Sequence, residues 1–234
     1  MNEFLTIVIP CKNEEVNIAL ILHDIHRQSD IQDVEILIAD ASSTDTTLSV
    51  IEQMKRMYNL NIRVIEGGLP SVGRNNGARE AKTPYILFMD SDIRLRDHRL
   101  IFDTLTHIIC GKYWMATTNT YCDSTSKMSQ LIYWVSSKLQ SLSKYLWYPY
   151  ATGMYMMVRK DTFDGFDENV IYAEDYFLSK KIPRRKFYMH DSAIYTSDRR
   201  LQKMGTFGMI KLFVKTIINT WNYKFFLNDH SYWK

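Results

Sequence analysis

Apolar runs rich in β-branched residues alternate with stretches whose apolar positions recur at helical spacing. Phe4-Leu5-Thr6-Ile7-Val8-Ile9 is stopped by Pro10 and reads as a buried strand. Asn13-Glu14-Glu15 then opens an amphipathic helix with Ile18, Ile21, Leu22 and Ile25 on one face. Val34–Ile38 is a second strand, and the small polar cluster that follows, Ala39 to Asp45, caps a helix over about Thr46–Met57. Asn61–Ile65 is a third strand, followed by Gly67-Gly68 and a helix near Gly73–Ala81; Tyr85–Met89 is the fourth. This alternation predicts the α/β class, with a parallel, doubly wound, Rossmann-like sheet flanked by helices. Ligands of such sheets bind beyond the carboxyl ends of the strands. Pro10-Cys11, Asp40, Gly67 and Asp90 are therefore expected along one rim, where a nucleotide would sit.

After Asp92 the pattern changes. Asp97–Gly111 reads as a helix and Met115–Tyr121 as a strand. Lys127–Trp147 is helical, and Leu131, Trp134, Val135, Lys138, Leu142, Tyr145 and Leu146 give it a wide apolar face. Gly153–Arg159 returns as a strand, Ala173–Lys181 forms a short helix, and Arg184–Ser197 is mostly extended. Phe207–Leu227 closes the pattern as an aromatic-rich amphipathic helix.

The 234 residues are 46% hydrophobic and 24% charged, enough for a full core in one large domain. Cys11, Cys110 and Cys122 lack metal-ligand or disulfide spacing and read as ordinary thiols of a reducing compartment. Net charge is +3, unevenly distributed: residues 180–234 carry +9 and residues 1–179 carry −6. That basic end suggests an anionic partner, whether phosphate, nucleic acid or an anionic membrane. The aromatic residues there recur at helical core spacing rather than as a stacking platform, so nucleic acid is not expected.

The strongest chemical signal is Asp90-Ser91-Asp92, directly after the strand Tyr85–Met89. Two carboxylates one residue apart can hold a divalent cation, and their hard oxygens suit Mg²⁺ or Mn²⁺. Such a cation can bind a substrate diphosphate. Taken alone, the same triplet also serves as a cap or turn.

The ordered blocks TIVIPCKNEE, IADASSTDTT, GRNNGA, LFMDSD, GMYMMVRKDTFDGFDE, AEDYFL and TSDRR resemble family 2 glycosyltransferases of the GT-A fold. The resemblance covers roughly residues 4–205. It implies a GT-A domain over 1–205, with a nucleotide-sugar half at 1–95 and an acceptor half at 96–205, and an amphipathic extension over 206–234. It also implies inverting transfer of a sugar from a nucleotide-diphosphate donor. Pro10 and Glu14 match the loop beside the base and ribose, although a helix N-terminus by itself favours carboxylates such as Glu14. Asp40 matches the acid that hydrogen-bonds the base; many relatives carry two adjacent acids, where this chain has Ala39 and Ala41. Arg74 matches an arginine that reaches the base or diphosphate. By the same resemblance Asp92 is the direct metal ligand and Asp90 the ribose-side or water-mediated contact, with Mg²⁺ or Mn²⁺ as cofactor.

Asp175 matches the general base that takes the proton of the acceptor hydroxyl, supported by Glu174, and an in-line inverting transfer needs one such carboxylate. Thr152-Gly153 would floor the acceptor pocket, the missing side chain admitting a sugar ring. Arg199-Arg200 match a basic pair that binds phosphate oxygens. The Q-x-x-R-W of processive relatives is absent, which favours addition of a single sugar. Asp45 and Asp97 read as helix caps or loop braces, and His190 as structural. The acceptor expected from the resemblance is a glycan or polyprenyl-linked precursor.

No uncharged stretch reaches the ~18 residues of a spanning helix, and no charged leader with an apolar core opens the sequence. The expected location is cytoplasmic, with peripheral contact on the cytoplasmic face of a membrane. Phe207–Leu227 mixes Phe207, Ile210, Phe213, Val214, Ile217, Ile218 and Trp221 with Lys211, Lys215 and Lys224, which suits an interfacial helix or one packed on the core, and the aromatic Lys127–Trp147 segment favours docking of the acceptor side on lipid. Two other functions compete. A nucleotidyltransferase would want a glycine-rich phosphate loop after the first strand, which Pro10 to Glu14 lacks. A non-catalytic nucleotide-binding module would not need both Asp92 and Asp175.

Overall fold

Leu5–Cys11 forms β1, and its alternation sends Leu5, Ile7 and Ile9 to one face of the sheet and Val8 to the other. The computed structural model describes residues 1–146, 148–199, 201, 202, 204, 205, 208, 211, 215, 218, 219 and 222–227. Along the chain follow α1 (Glu15–His26), β2 (Glu35–Asp40), α2 (Thr47–Tyr58), β3 (Ile62–Glu66), α3 (Pro70–Glu80) and β4 (Tyr85–Met89). Next come β5 (Ile93–Arg94), α4 (Leu100–Cys110), β6 (Met115–Cys122), α5 (Lys127–Leu146), β7 (Tyr155–Arg159), α6 (Glu174–Lys180) and β8 (Phe187–Thr196).

The eight strands form one sheet in the order β3-β2-β1-β4-β7-β6-β8-β5. β3, β2, β1 and β4 are mutually parallel, as the sequence pattern predicts. Helices α1, α2 and α4 bury their apolar residues on one face, and α3 and α6 cover the other. The packing of α3 on β1 is close enough that a methyl group at Gly77 would run into the Val8 side chain.

The second half is mixed rather than purely parallel. β7 runs antiparallel to both β4 and β6, β8 is parallel to β6, and the short β5 is antiparallel to β8. This arrangement has a positional consequence: the start of β7 lies beside the end of β4, on the expected ligand rim. A bulge in the pairing of β6 with β8 falls between Thr118 and Asn119. The Asn119 amide donates to the Asp191 and Ser192 carbonyls there, at 3.1 and 3.0 Å.

Two elements differ from the sequence reading, and a third, α5, gains a direction that its periodicity left open. α3 begins at Pro70 rather than near Gly73, because proline suits the first helical turn. α5 packs inside out: its buried positions are Ser129, Ser137, Gln140 and Ser143, and its apolar face points to solvent. The strand beneath explains this, since β6 presents hydroxyl and amide groups. Gln140 donates to Thr117 Oγ1 at 3.3 Å, Ser137 Oγ to Asn119 Oδ1 at 3.0 Å, and the Thr120 N–H to Ser137 Oγ at 3.2 Å. Much of the predicted helix Phe207–Leu227 lies outside the described residues. Its end, Tyr223–Leu227, is a 3₁₀ turn with Phe226 fully buried against Val170 and Tyr172. No described helix is long and apolar enough to cross a membrane.

Candidate active site

β4 delivers Asp90-Ser91-Asp92 to the rim, and the short β5 fixes the far side of that loop by pairing Ile93 with Thr196. Arg94 then locks onto α1, donating to both oxygens of the buried Asp24 at 2.6 and 2.9 Å. The Leu95 N–H adds a third bond to Asp24 at 2.9 Å. On the other side the Asp90 N–H donates to the Met154 carbonyl at 3.3 Å, so the antiparallel β7 places Gly153 beside the loop.

Arg74, on α3, is only 2% exposed and lies beneath this junction. Its guanidinium donates to Asp90 Oδ1 and to Glu174 Oε1, both at 2.6 Å. The Phe166 ring stacks on it at 5.4 Å, and its Nε is buried without an acceptor. Burial opposes the charge, but Asp90, Glu174 and Asp175 outweigh it, and the Arg74 pKa is held above its ordinary value. One buried cation thus ties the rim loop after β4 to the first turn of α6.

Gly153 belongs to the same cluster, but not in the way its sequence suggests. A Cβ there would come within 2.7 Å of Arg74 Nη2. The space left by the missing side chain is taken by the guanidinium, which corrects the expectation that it admits a sugar ring. The Gly153 N–H donates to Asp175 Oδ2 at 2.7 Å. Burial, and then the neighbouring charge of Glu174, push the Asp175 carboxyl up to about 7. Glu174 and Asp175 occupy the start of α6, after Ala173 in the left-handed conformation at φ 65°.

Three more of the expected site residues line the same rim. Pro10 and Asp40 stand at the ends of β1 and β2, with Cys11 paired to Asp40 in the register. Asp40 is anchored by its own loop, accepting the Ser43 N–H at 3.0 Å and lying 3.6 Å from Cys11 Sγ. Burial, and then Asp40, push the Cys11 thiol up to about 12, so it stays protonated. Glu14 precedes α1, and Arg199 bridges it to the loop after β4. Arg199 Nη2 lies 3.1 Å from Glu14 Oε1 and 3.3 Å from Asp92 Oδ2. Arg200 lies outside the described residues.

Asp45 braces the loop before α2 through the Thr47 N–H at 3.0 Å. Asp97 holds the Arg99 N–H and the Ser192 hydroxyl ahead of α4, at 2.9 and 2.7 Å. His190 lies within β8, edge-on to the His107 ring. Sequence reasoning missed Asp24, Asn75 and Asp198. Asn75 ties α3 to the segment after β7 through the Phe166 N–H and carbonyl, at 2.8 and 2.9 Å. Asp198 accepts from Ser124, Ser129 and Gln202 and pins the chain beyond β8 to the start of α5. The one available signal was polarity at positions otherwise at helical core spacing, as for Asp24 between Ile21 and Ile25.

The donor set suits a hard divalent cation. Asp90 and Asp92 are each 31% exposed at the rim, and the Arg199 guanidinium lies against Asp92. Among the described residues no cluster of three or more His, Cys, Asp or Glu could hold a metal. A cation held by these two carboxylates would need its other ligands from diphosphate and water, as is usual for Mg²⁺.

The family model for glycosyl transferase family 2 matches residues 6–166. A poly(ribitol-phosphate) β-glucosyltransferase of Bacillus spizizenii is 40% identical over 93 residues, covering 38% of this chain and 14% of that protein. A GalNAc(5)-diNAcBac-PP-undecaprenol β-1,3-glucosyltransferase of Campylobacter jejuni is 30% identical over 96 residues, covering 39% of this chain and 30% of that protein. This chain therefore matches well under two thirds of the length of either relative. Among solved structures, the mannosyltransferase PcManGT of Pyrobaculum calidifontis, in complex with GDP-Man and Mn²⁺, superposes with a TM-score of 0.65. The identity is 16%, with 82% of this chain and 56% of that chain covered, and the likeness is one of fold.

Proposed function

The chain belongs to glycosyl transferase family 2, and from that premise we propose that it transfers one sugar, with inversion, from a nucleotide-diphosphate sugar to an acceptor hydroxyl. The observation that carries the reading is the buried Arg74, which joins the rim carboxylate Asp90 to the acidic start of α6. Donor-binding and proton-accepting groups then form one rigid unit, as an in-line displacement requires.

Pro10, Glu14 and Asp40 would flank the base and ribose at the ends of β1 and β2. Asp92, with Asp90, would hold Mg²⁺ or Mn²⁺. A bound cation would offset the charge that develops on the departing diphosphate. Arg199, exposed beside Asp92, would bind the same phosphate oxygens, a role the resemblance also gives to Arg200. Asp175 takes the proton of the attacking hydroxyl. A carboxyl near 7 is a stronger base than an ordinary one while still ionised in part at neutral pH. Glu174, ion-paired with Arg74, carries the charge that helps keep Asp175 raised. The acceptor class that fits the two relatives is a cell-surface or lipid-linked glycan, which sets the enzyme to work at a membrane surface.

The test separates binding from chemistry. UDP-, GDP- and dTDP-sugars are screened by thermal shift with and without Mn²⁺, and Asp175→Asn is compared with the parent on the donor that binds. Donor affinity should survive while transfer falls by about 10²-fold or more, the scale of a lost general base. Undiminished transfer by Asp175→Asn would remove the proton-accepting role from this residue.

A further inference from the structure

The outward face of α5 gathers several large apolar side chains in solvent. Leu131, Trp134, Val135, Leu139, Leu142 and Tyr145 are each 42–67% exposed, on the side of the helix opposite Ser129, Ser137, Gln140 and Ser143. A soluble helix normally turns such residues inward, and a contiguous apolar stripe of this kind marks an interaction surface. The hydrogen bonds of Ser137 and Gln140 to β6 fix the orientation, so the stripe cannot be buried by rotating the helix.

The charge around the stripe selects its occupant. From Lys127 to Lys160 the sequence holds no Asp or Glu, while Lys127, Lys138 and Lys144 lie on α5 itself. Lys138 Nζ sits 5.9 Å from the Trp134 ring and Lys144 Nζ 5.0 Å from the Tyr145 ring. At the end of the helix Lys180 lies 5.2 Å from the Tyr148 ring, and Arg184 reaches the Tyr145 carbonyl at 3.5 Å. Leucines and aromatic rings share this face with Lys127 and Lys138, and Lys144 lies at its edge; the apolar bodies suit acyl chains and the headgroup boundary, and the ammonium ends can snorkel to anionic phosphates. A second copy docked on the same stripe would bring lysine towards lysine, with no acid on α5 to compensate.

We propose that the outward face of α5 docks the protein on an anionic lipid bilayer. The proposal deepens the reading of an enzyme at a membrane surface by naming the face that lies on it. The same segment that leaves α5 reaches the reaction centre at Gly153, so docking would set the rim at a fixed distance from the lipid. Vesicle binding needs neither donor nor transfer, so the two readings can fail separately.

The test uses the full chain with vesicles of phosphatidylglycerol and phosphatidylcholine in equal parts, against phosphatidylcholine alone, scored by co-sedimentation. Two double variants are compared, Leu131→Gln with Leu142→Gln, and Lys127→Gln with Lys138→Gln. Melting and nucleoside-diphosphate binding verify that each is folded. The parent should prefer the anionic vesicles and lose them as salt rises. Each double variant should bind at least about tenfold more weakly, since both the apolar and the charged contribution are needed, and should keep nucleotide binding. A parent that ignores anionic vesicles would overturn the proposal, as would folded variants that bind like the parent. So would a solution dimer, seen by sedimentation, that the leucine variant abolishes.

Discussion

Replacing Asp175 with Asn should stabilise the protein at alkaline pH while removing its transfer activity. The carboxyl rises from 3.8 to about 7 on folding because burial, reinforced by Glu174, disfavours its charged form. The folded state therefore holds more protons than the unfolded state between those two values. Stability from this group is full below 3.8, declines as pH rises, and is lost above about 7. A shift of about three units at 1.36 kcal/mol each corresponds to about 4 kcal/mol of native-state cost at pH 8. Asparagine removes that cost but offers only one acceptor oxygen, whereas Asp175 accepts from the Gly153 and Tyr176 N–H groups, both at 2.7 Å. Facing an N–H with an amide NH₂ costs about 1–3 kcal/mol, so the net gain at pH 8 should be about 1–3 kcal/mol. Urea unfolding of parent and variant at pH 4, 6 and 8 measures it. The variant should gain on the parent steadily across that range, and parent transfer should rise through about pH 7. A stability difference that does not change with pH would refute the account of a buried, destabilised carboxylate.

Two further substitutions probe the same cluster. Asp92→Ala should abolish the additional stabilisation that Mn²⁺ gives to nucleoside-diphosphate binding, read by thermal shift; unchanged metal-dependent binding would remove Asp92 from the cation site. Arg74→Met leaves Asp90 and Glu174 without their shared partner and should cost about 3 kcal/mol in urea unfolding, the scale for breaking a buried pair. Arg74→Lys should restore only part of that, because a single ammonium lacks the planar fork that spans both carboxylates.

The sequence by itself determined the parallel half of the fold and the position of the rim. Strand and helix periods in residues 4–89 are local, and the clusters at Pro10, Asp40 and Asp90 follow directly from where each strand stops. Asp90 and Asp92 were legible from the end of their strand, and Glu174 and Asp175 only through the resemblance of their block to the family. Only the tertiary structure decided what those residues touch. Arg74 and Glu174 are a hundred positions apart in sequence, and no local pattern says that a guanidinium will fill the space that Gly153 leaves. The antiparallel β7, which brings Gly153 to the rim, depends on strand pairing that apolar runs alone do not specify. The inversion of α5 is the plainest case. Periodicity identified its apolar face, but the direction of that face was set by β6, whose Thr117 and Asn119 demand hydrogen-bond partners. A helical period fixes which residues share a face; the polarity of the surface it meets fixes whether that face lies inside or out.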